Sequence, residues 1–376
     1  MIKIAYDTAF LSALLLAFAM QLPATIAAAY LLCAGYVVAA YDRSVVTNNQ
    51  LLLYAAAAVP CLLAVLNFKH GLTSAVYLLA LPLVLIAAQL FGSKPLAHIN
   101  ACLRNFFWLF VGGIAFGLAL HWGEPEPLGA IFPNSSTNGL PSYLIVVQIA
   151  FSLAHYLKYG RLPLLSACAT MVVAIFGLGR GSMITAALIL LFSLLTNVTI
   201  ARSKPDRKML RISAWLLVPP AGLYLLYNFN EILAALQLAI EASKFSGGVL
   251  DEHRGRIVSD YLGKIDAWTL MFGTDYVGTS INQHYGGNPH NSFIRAHSFY
   301  GVAALIFILI PLVLALLSRH RTSHKFVAVT MIVFALLRAT TEPIFFPSTL
   351  DFFYFLYFIL YFNFAQKRHQ PQGQHA

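Results

Sequence analysis

The sequence predicts an all-α polytopic membrane protein, with about twelve transmembrane helices and one large external loop that contains an amphipathic helix. Three observations predict it. Of 376 residues, 59% are hydrophobic and only 10% charged, against roughly 25% charged in soluble domains, and mean hydropathy is +0.73. Apolar runs of about 16–22 residues recur along the chain, the length that crosses a hydrocarbon core of about 30 Å as a helix. Lysine and arginine fall unevenly on alternate sides of those runs. The net charge of +10 then follows from topology and does not mark a nucleic-acid-binding face.

Taken in order, the expected spans are 7–22, 24–41, 50–66, 72–90, 104–121, 141–157, 162–179, 182–200, 212–229, 292–317, 326–341 and 350–365. Residues 1–229 thus hold nine spans, 230–291 the external loop, 292–366 three more spans, and 367–376 a tail. The first two spans meet at Pro23, and Met1-Ile2-Lys3 leads straight into an apolar run without the cleavage signature of a signal peptide, so the first span is expected to stay attached. On one side of this arrangement lie sixteen Lys and Arg, on the other eight, together with eleven of the fourteen acids. By the positive-inside rule both termini are cytoplasmic and the long loop is outside. Cys33, Cys61, Cys102 and Cys168 all sit in apolar runs with no CxxC pair, which argues against a disulfide framework or structural zinc.

The chain is organised around the polar stretch Glu231 to Gly301, centred on Gly286-Gly287-Asn288-Pro289-His290-Asn291-Ser292. Glycines and a proline close an irregular loop there, and an apolar helix follows, so His290 is expected where water meets membrane. A neutral imidazole at that place can take a proton from an attacking hydroxyl, and Asn291 can donate and accept hydrogen bonds. The competing reading of His290 is a capping or headgroup contact. His297, two helical turns on, could share its face or merely pack. Upstream, apolar residues at Ile257, Tyr261, Ile265, Trp268 and Phe272 have helical spacing, which predicts an amphipathic helix over 256–272 lying on the outer leaflet or on the tops of the spans.

Four arginines and one acid complete the candidates. Arg180 stands between two glycines at an external turn; it either snorkels to headgroups or meets an anion through its guanidinium fork, with bare backbone allowing close approach. Arg254 and Arg256, preceded by Asp251 and Glu252, form either a solvated salt-bridge cluster or part of an anion site. Arg338 and Glu342, four apart, can pair on one helix face. With no HExxH motif and no histidine–carboxylate cluster, no metal is expected, nor any other cofactor.

His290-Asn291-Ser-Phe293-Ile294 followed by Tyr300-Gly301 resembles the His-Asn-x-x-Leu…Gly pattern of the O-antigen ligase and polymerase superfamily of membrane glycosyltransferases. The layout is similar over nearly the whole chain, including the loop between spans nine and ten and the external Gly179-Arg180-Gly181. The Ser-Arg-Gly often found at that turn lacks its hydroxyl here, and Phe272-Gly-Thr-Asp-Tyr276 lacks a second glycine. The resemblance implies a bacterial inner-membrane enzyme with a periplasmic site, metal-independent and inverting. Its donor would be an undecaprenyl-diphosphate-linked glycan, and its acceptor a lipid A core sugar hydroxyl or a second lipid-linked glycan. It further implies His290 as base with Asn291 beside it, and diphosphate contacts at Arg180 and at Arg254 or Arg256. Arg338 is a further candidate diphosphate contact, with Glu342 and His297 in support.

A single large external loop favours a ligase over a repeat-unit polymerase. A twelve-span transporter is the third reading, but it predicts comparable halves and a long loop midway, and residues 157–162 are short. A glycosyltransferase resting on a loop carboxylate would use Asp260 or Asp266 instead of His290.

Overall fold

The computed structural model describes residues 2–41, 58–59, 62–63, 70, 72–124, 126–132, 135–200, 252–318 and 322–369. Among these the chain is all-helical, with no strand. The helices are α1 (Ile2–Ala19), α2 (Pro23–Ala40), α3 (Leu72–Gly92), α4 (Leu96–Leu120), α5 (Pro127–Ile131), α6 (Gly139–Tyr159), α7 (Leu164–Phe176), α8 (Arg180–Ile200), α9 (Glu252–Leu262), α10 (Ala267–Phe272), α11 (Ser280–Tyr285), α12 (Ser292–Tyr300), α13 (Val302–Leu317), α14 (Thr322–Ala339) and α15 (Asp351–His369). Five of them, α1, α2, α4, α6 and α8, are long and apolar enough to cross a membrane. Helices suit such a solvent because each satisfies its own backbone hydrogen bonds.

Helix α6 is the axis of the bundle. Its residues are buried almost throughout, and it packs against α1, α4, α7, α8, α14 and α15. Gly160, in the left-handed conformation at φ +73°, ends it by donating its N–H to the Tyr156 carbonyl. Helix α15 closes the other side with an aromatic face. The hydroxyl of Tyr354 donates to the Ile308 carbonyl and that of Tyr357 to Ala328 at 2.6 Å, so buried phenols find partners on α13 and α14. Outward, Leu31, Val38, Phe116 and Leu120 are more than half exposed, an apolar wall such as lipid would cover.

The bundle has two distinct ends. At one, Lys94 meets Asp7, Asn363 donates to the Gly92 carbonyl, and Asn197 exchanges two hydrogen bonds with the Leu162 backbone. At the other, Gln21 reaches Tyr143, Thr137 reaches Glu126, and Arg338 reaches Ser142.

Expected and observed elements differ in instructive places. The span expected over 104–121 begins earlier, at Leu96: His98 and Asn100 lower the local hydropathy, while the helix turns Asn100 fully and His98 partly inward. The run 292–317 is two helices: Gly301, at φ +67° and ψ −164°, breaks it between α12 and α13. The single amphipathic helix expected over 256–272 is also two, α9 and α10. Asp266 restarts the second through a capping box, accepting from Thr269 N at 2.7 Å while the Thr269 hydroxyl accepts from Asp266 N. The expected span 212–229, most of 50–66 and the loop residues 230–251 lie outside the described residues.

Candidate active site

The His290 turn is built from backbone constraints. Gly286 at φ +55° and Gly287 at φ +83° reverse the chain after α11, and the Asn288 side chain accepts from His290 N at 2.9 Å. His290 itself takes φ +46°, a left-handed conformation that costs a β-carbon-bearing residue about 1 kcal/mol and persists only where the surroundings impose it. Its half-buried ring meets Tyr285 edge-on, with centroids 5.5 Å apart. Asn291 is the N-cap of α12, its oxygen accepting from Phe293 N at 2.8 Å and Ile294 N at 3.1 Å. The oxygen is thereby used, and the amide NH2 is what remains to donate.

Ser292 fixes this turn to the far end of the chain. Its hydroxyl donates to the Glu342 carbonyl at 2.7 Å and accepts from Phe345 N at 3.0 Å. Four residues before Glu342, the buried Arg338 guanidinium pairs with the Glu342 carboxylate at 3.2 Å. It also donates to Ser142 from Nε at 3.0 Å and from the same terminal nitrogen at 2.7 Å, and to the Thr341 hydroxyl at 2.5 Å. All three nitrogens therefore have protein acceptors, so Arg338 is wired into the bundle.

The Gly-Arg-Gly turn reaches the same place from α8. A β-carbon on Gly181 would lie 2.8 Å from the Arg338 guanidinium and 3.0 Å from the Thr341 hydroxyl, and one on Gly179 would lie 1.8 Å from Asn138 Oδ1. These glycines are bare because protein groups press on them; the room that sequence reasoning assigned to an anion is filled by Asn138 and Arg338. Arg180, the first residue of α8, is half-buried between them. Ser182 and Ser142 approach to 3.5 Å.

The loop arginines part company. Arg254, half-buried, lies within electrostatic reach of Arg338. Arg256 is exposed and acts on Asp260 instead. Asp260 accepts from Ser280 N at 3.3 Å at the start of α11, and Ser280 holds its carboxyl below the usual carboxylate range. His297 is committed to packing: Nε2 donates to the Leu270 carbonyl at 3.0 Å, and Nδ1 then accepts from the Tyr261 hydroxyl at 2.9 Å. It fastens α9 and α10 to α12. A small apolar core of Ile257, Tyr261, Tyr276, Ile281 and Ile294 seals the same joint.

One end of the bundle thus gathers Arg180, Arg338, Glu342 and the His290-Asn291-Ser292 turn, with Arg254 close by, from four separate stretches of chain. Sequence reasoning missed Ser142, Thr341, Asn138 and the role of Ser292. Small polar residues in apolar runs carry no pattern of their own; only the partner across the bundle reveals their use. No protein-family model matches the chain, and no curated protein or solved structure matches it significantly.

Proposed function

We propose that this chain is an O-antigen ligase-like glycosyltransferase of the bacterial inner membrane. In this reading it moves a glycan from undecaprenyl diphosphate to a sugar hydroxyl of lipid A core at the periplasmic face. The observation that carries it is the junction at which Gly181 packs on the Arg338 guanidinium while Ser292 binds the Glu342 backbone. Through it, the turn bearing Arg180 and the turn bearing His290 share one buried anchor. A histidine and guanidiniums at one membrane-surface site suit displacement of a diphosphate, whose growing negative charge fixed cations stabilise.

In this mechanism His290 accepts the proton of the acceptor hydroxyl as that oxygen attacks the anomeric carbon, and the bond to the diphosphate breaks on the opposite face with inversion. Asn291 orients the acceptor through its amide NH2. Arg180 and Arg254 hold the diphosphate, while Arg338 and Glu342 hold Arg180's turn in place. Arg256, exposed beside Asp260, is left out of the site. The lipid tail enters between spans from the outer leaflet of a twelve-span bundle with both termini cytoplasmic.

A repeat-unit polymerase using two lipid-linked glycans fits the same residues and differs only in acceptor. The carboxylate-based alternative is disfavoured because Asp260 accepts from Ser280 N at the start of α11 and Asp266 caps α10, so both carboxylates are engaged in holding the loop helices. The test is transfer by purified protein supplied with lipid-linked glycan and either acceptor. His290→Ala, Arg180→Lys and Arg254→Ala are each expected to abolish transfer without loss of folded protein, and Arg256→Ala to retain it. Full transfer by His290→Ala removes the proposed base. In cells, deletion that leaves free lipid-linked polymer and uncapped core marks a ligase, core with one repeat marks a polymerase, and an unchanged ladder overturns both.

A further inference from the structure

The end of the bundle opposite the candidate site holds a group of side chains that glycosyl transfer does not use. Asp7, on the second turn of α1, is fully buried. Both of its carboxylate oxygens lie 2.6 Å from Lys94 Nζ, and Oδ2 lies 2.5 Å from His98 Nε2. Tyr36 donates to Oδ1 at 3.2 Å. One helical turn beyond His98 on the same face of α4 is Cys102, its thiol buried, 3.8 Å from the Ile4 carbonyl and beside the Thr8 hydroxyl. The Thr8 hydroxyl, buried beside that thiol, makes no hydrogen bond of full geometry to any described residue. One oxygen of Asp7, one nitrogen of His98 and the sulfur of Cys102 all lie within 4.8 Å of one another.

We propose that Asp7, His98 and Cys102 bind a divalent transition-metal ion of the Zn2+ type, and that Lys94 is a tethered cation which the metal displaces. An ion pair alone would need neither an imidazole aimed at the carboxylate nor a thiol four residues further on. Carboxylate oxygen, imidazole nitrogen and thiolate sulfur together are the donor set of zinc, and in a tetrahedral site with its usual bond lengths such donors stand about 3.3–3.8 Å apart. To reach that, the 2.5 Å contact of Asp7 Oδ2 with His98 Nε2 opens by about 1 Å, while the widest separation in the cluster, at most 4.8 Å, closes by about as much. Lys94 can leave: its side chain is 27% exposed, whereas that of Asp7 is 1% exposed and cannot follow. On binding, the Cys102 thiol gives up its proton and His98 gives up the one that Nε2 shares with Asp7, both to solvent at the exit Lys94 opens, and a water or the Thr8 hydroxyl supplies the fourth ligand. The site would staple α1 to α4 and stands apart from the glycosyl-transfer reading.

The test is titration of the purified full chain in detergent with Co2+, whose thiolate charge-transfer absorption reports a bound sulfur, alongside thermal unfolding with Zn2+. The expected result is a band saturating at one equivalent, absent in Cys102→Ser, and a rise in Tm with Zn2+. Lys94→Met, which removes the competing ammonium, is expected to bind Co2+ on the order of tenfold tighter and to regain with Zn2+ the stability it loses. A band that survives Cys102→Ser, arising from another thiol, overturns the proposal. So does the absence of a band in both the unaltered chain and Lys94→Met.

Discussion

Arg338 is a charge that the bundle has taken out of solvent, 2% exposed and held by Ser142, Thr341 and Glu342. Removing one member of a buried ion pair strands the other, at a cost of about 3–5 kcal/mol. Arg338→Ala is therefore expected to lower thermal stability in detergent by that order. Arg338→Lys is expected to recover little, since an ammonium cannot reproduce the fork that meets Ser142 through two nitrogens. Gly181→Ala probes the same contact from the other side. Its methyl would press on the guanidinium, and overpacking of this kind costs about 1–3 kcal/mol. Transfer is expected to fall further than stability does, because the displaced turn carries Arg180; equal losses would reduce Gly181 to a packing role. Sequence spacing alone predicted the Arg338–Glu342 pair, since four residues bring two side chains onto one helix face. It did not reveal Ser142, nearly two hundred residues away.

Among the elements, the joint between the loop helices and α12 decides how the His290 turn is carried. Gly301 sits at φ +67° with the Met271 carbonyl 1.9 Å from where its β-carbon would be. Backbone cannot yield there as a side-chain end can, so Gly301→Ala is expected to destabilise by about 3 kcal/mol or more, through strain and the clash together. Tyr261→Phe removes only the hydroxyl that His297 accepts, and should cost about 0.5–1.5 kcal/mol. Faster amide exchange over 252–272 than over α6 would locate that loss in the loop; uniform acceleration would contradict it. The periodicity of 256–272 grouped Ile257 and Tyr261 on the apolar face, and both are buried, whereas Trp268, on the same expected face, is 63% exposed. The spacing could not show the break between them. Gly263 and the Asp266 cap stop one helix and start another, which re-aims the second half.

For the whole molecule, the two ends of the bundle carry different chemistry. Lys94, Arg104, Lys158, Arg161 and Lys325 belong to the end with Asp7 and Asn197, while Arg338, Glu342 and the His290 turn belong to the other. The Lys and Arg count along the sequence expects the first of these ends at the cytoplasmic face and the second outside. A single cysteine at Gly160 and another at His284, in a chain whose Cys33, Cys61, Cys102 and Cys168 are replaced by Ser, are expected to react with a membrane-impermeant maleimide from opposite sides, His284→Cys from outside the cell membrane. Labelling of both from one side would overturn the proposed topology.

Hydropathy and charge were sufficient to determine an all-helical, membrane-compatible chain, most helix positions, and a polar stretch that ends at His290 just before an incoming helix. These are local properties, written in runs of neighbouring residues. What only the tertiary structure decided is which distant groups meet: Gly181 against Arg338, Ser292 on Glu342, Arg254 instead of Arg256 beside them, and Asp7 with His98 and Cys102 at the far end. Each meeting joins segments separated by tens to hundreds of residues, and the energy that selects it comes from close packing and from satisfying buried polar atoms. Neither leaves a period or a motif in either segment alone.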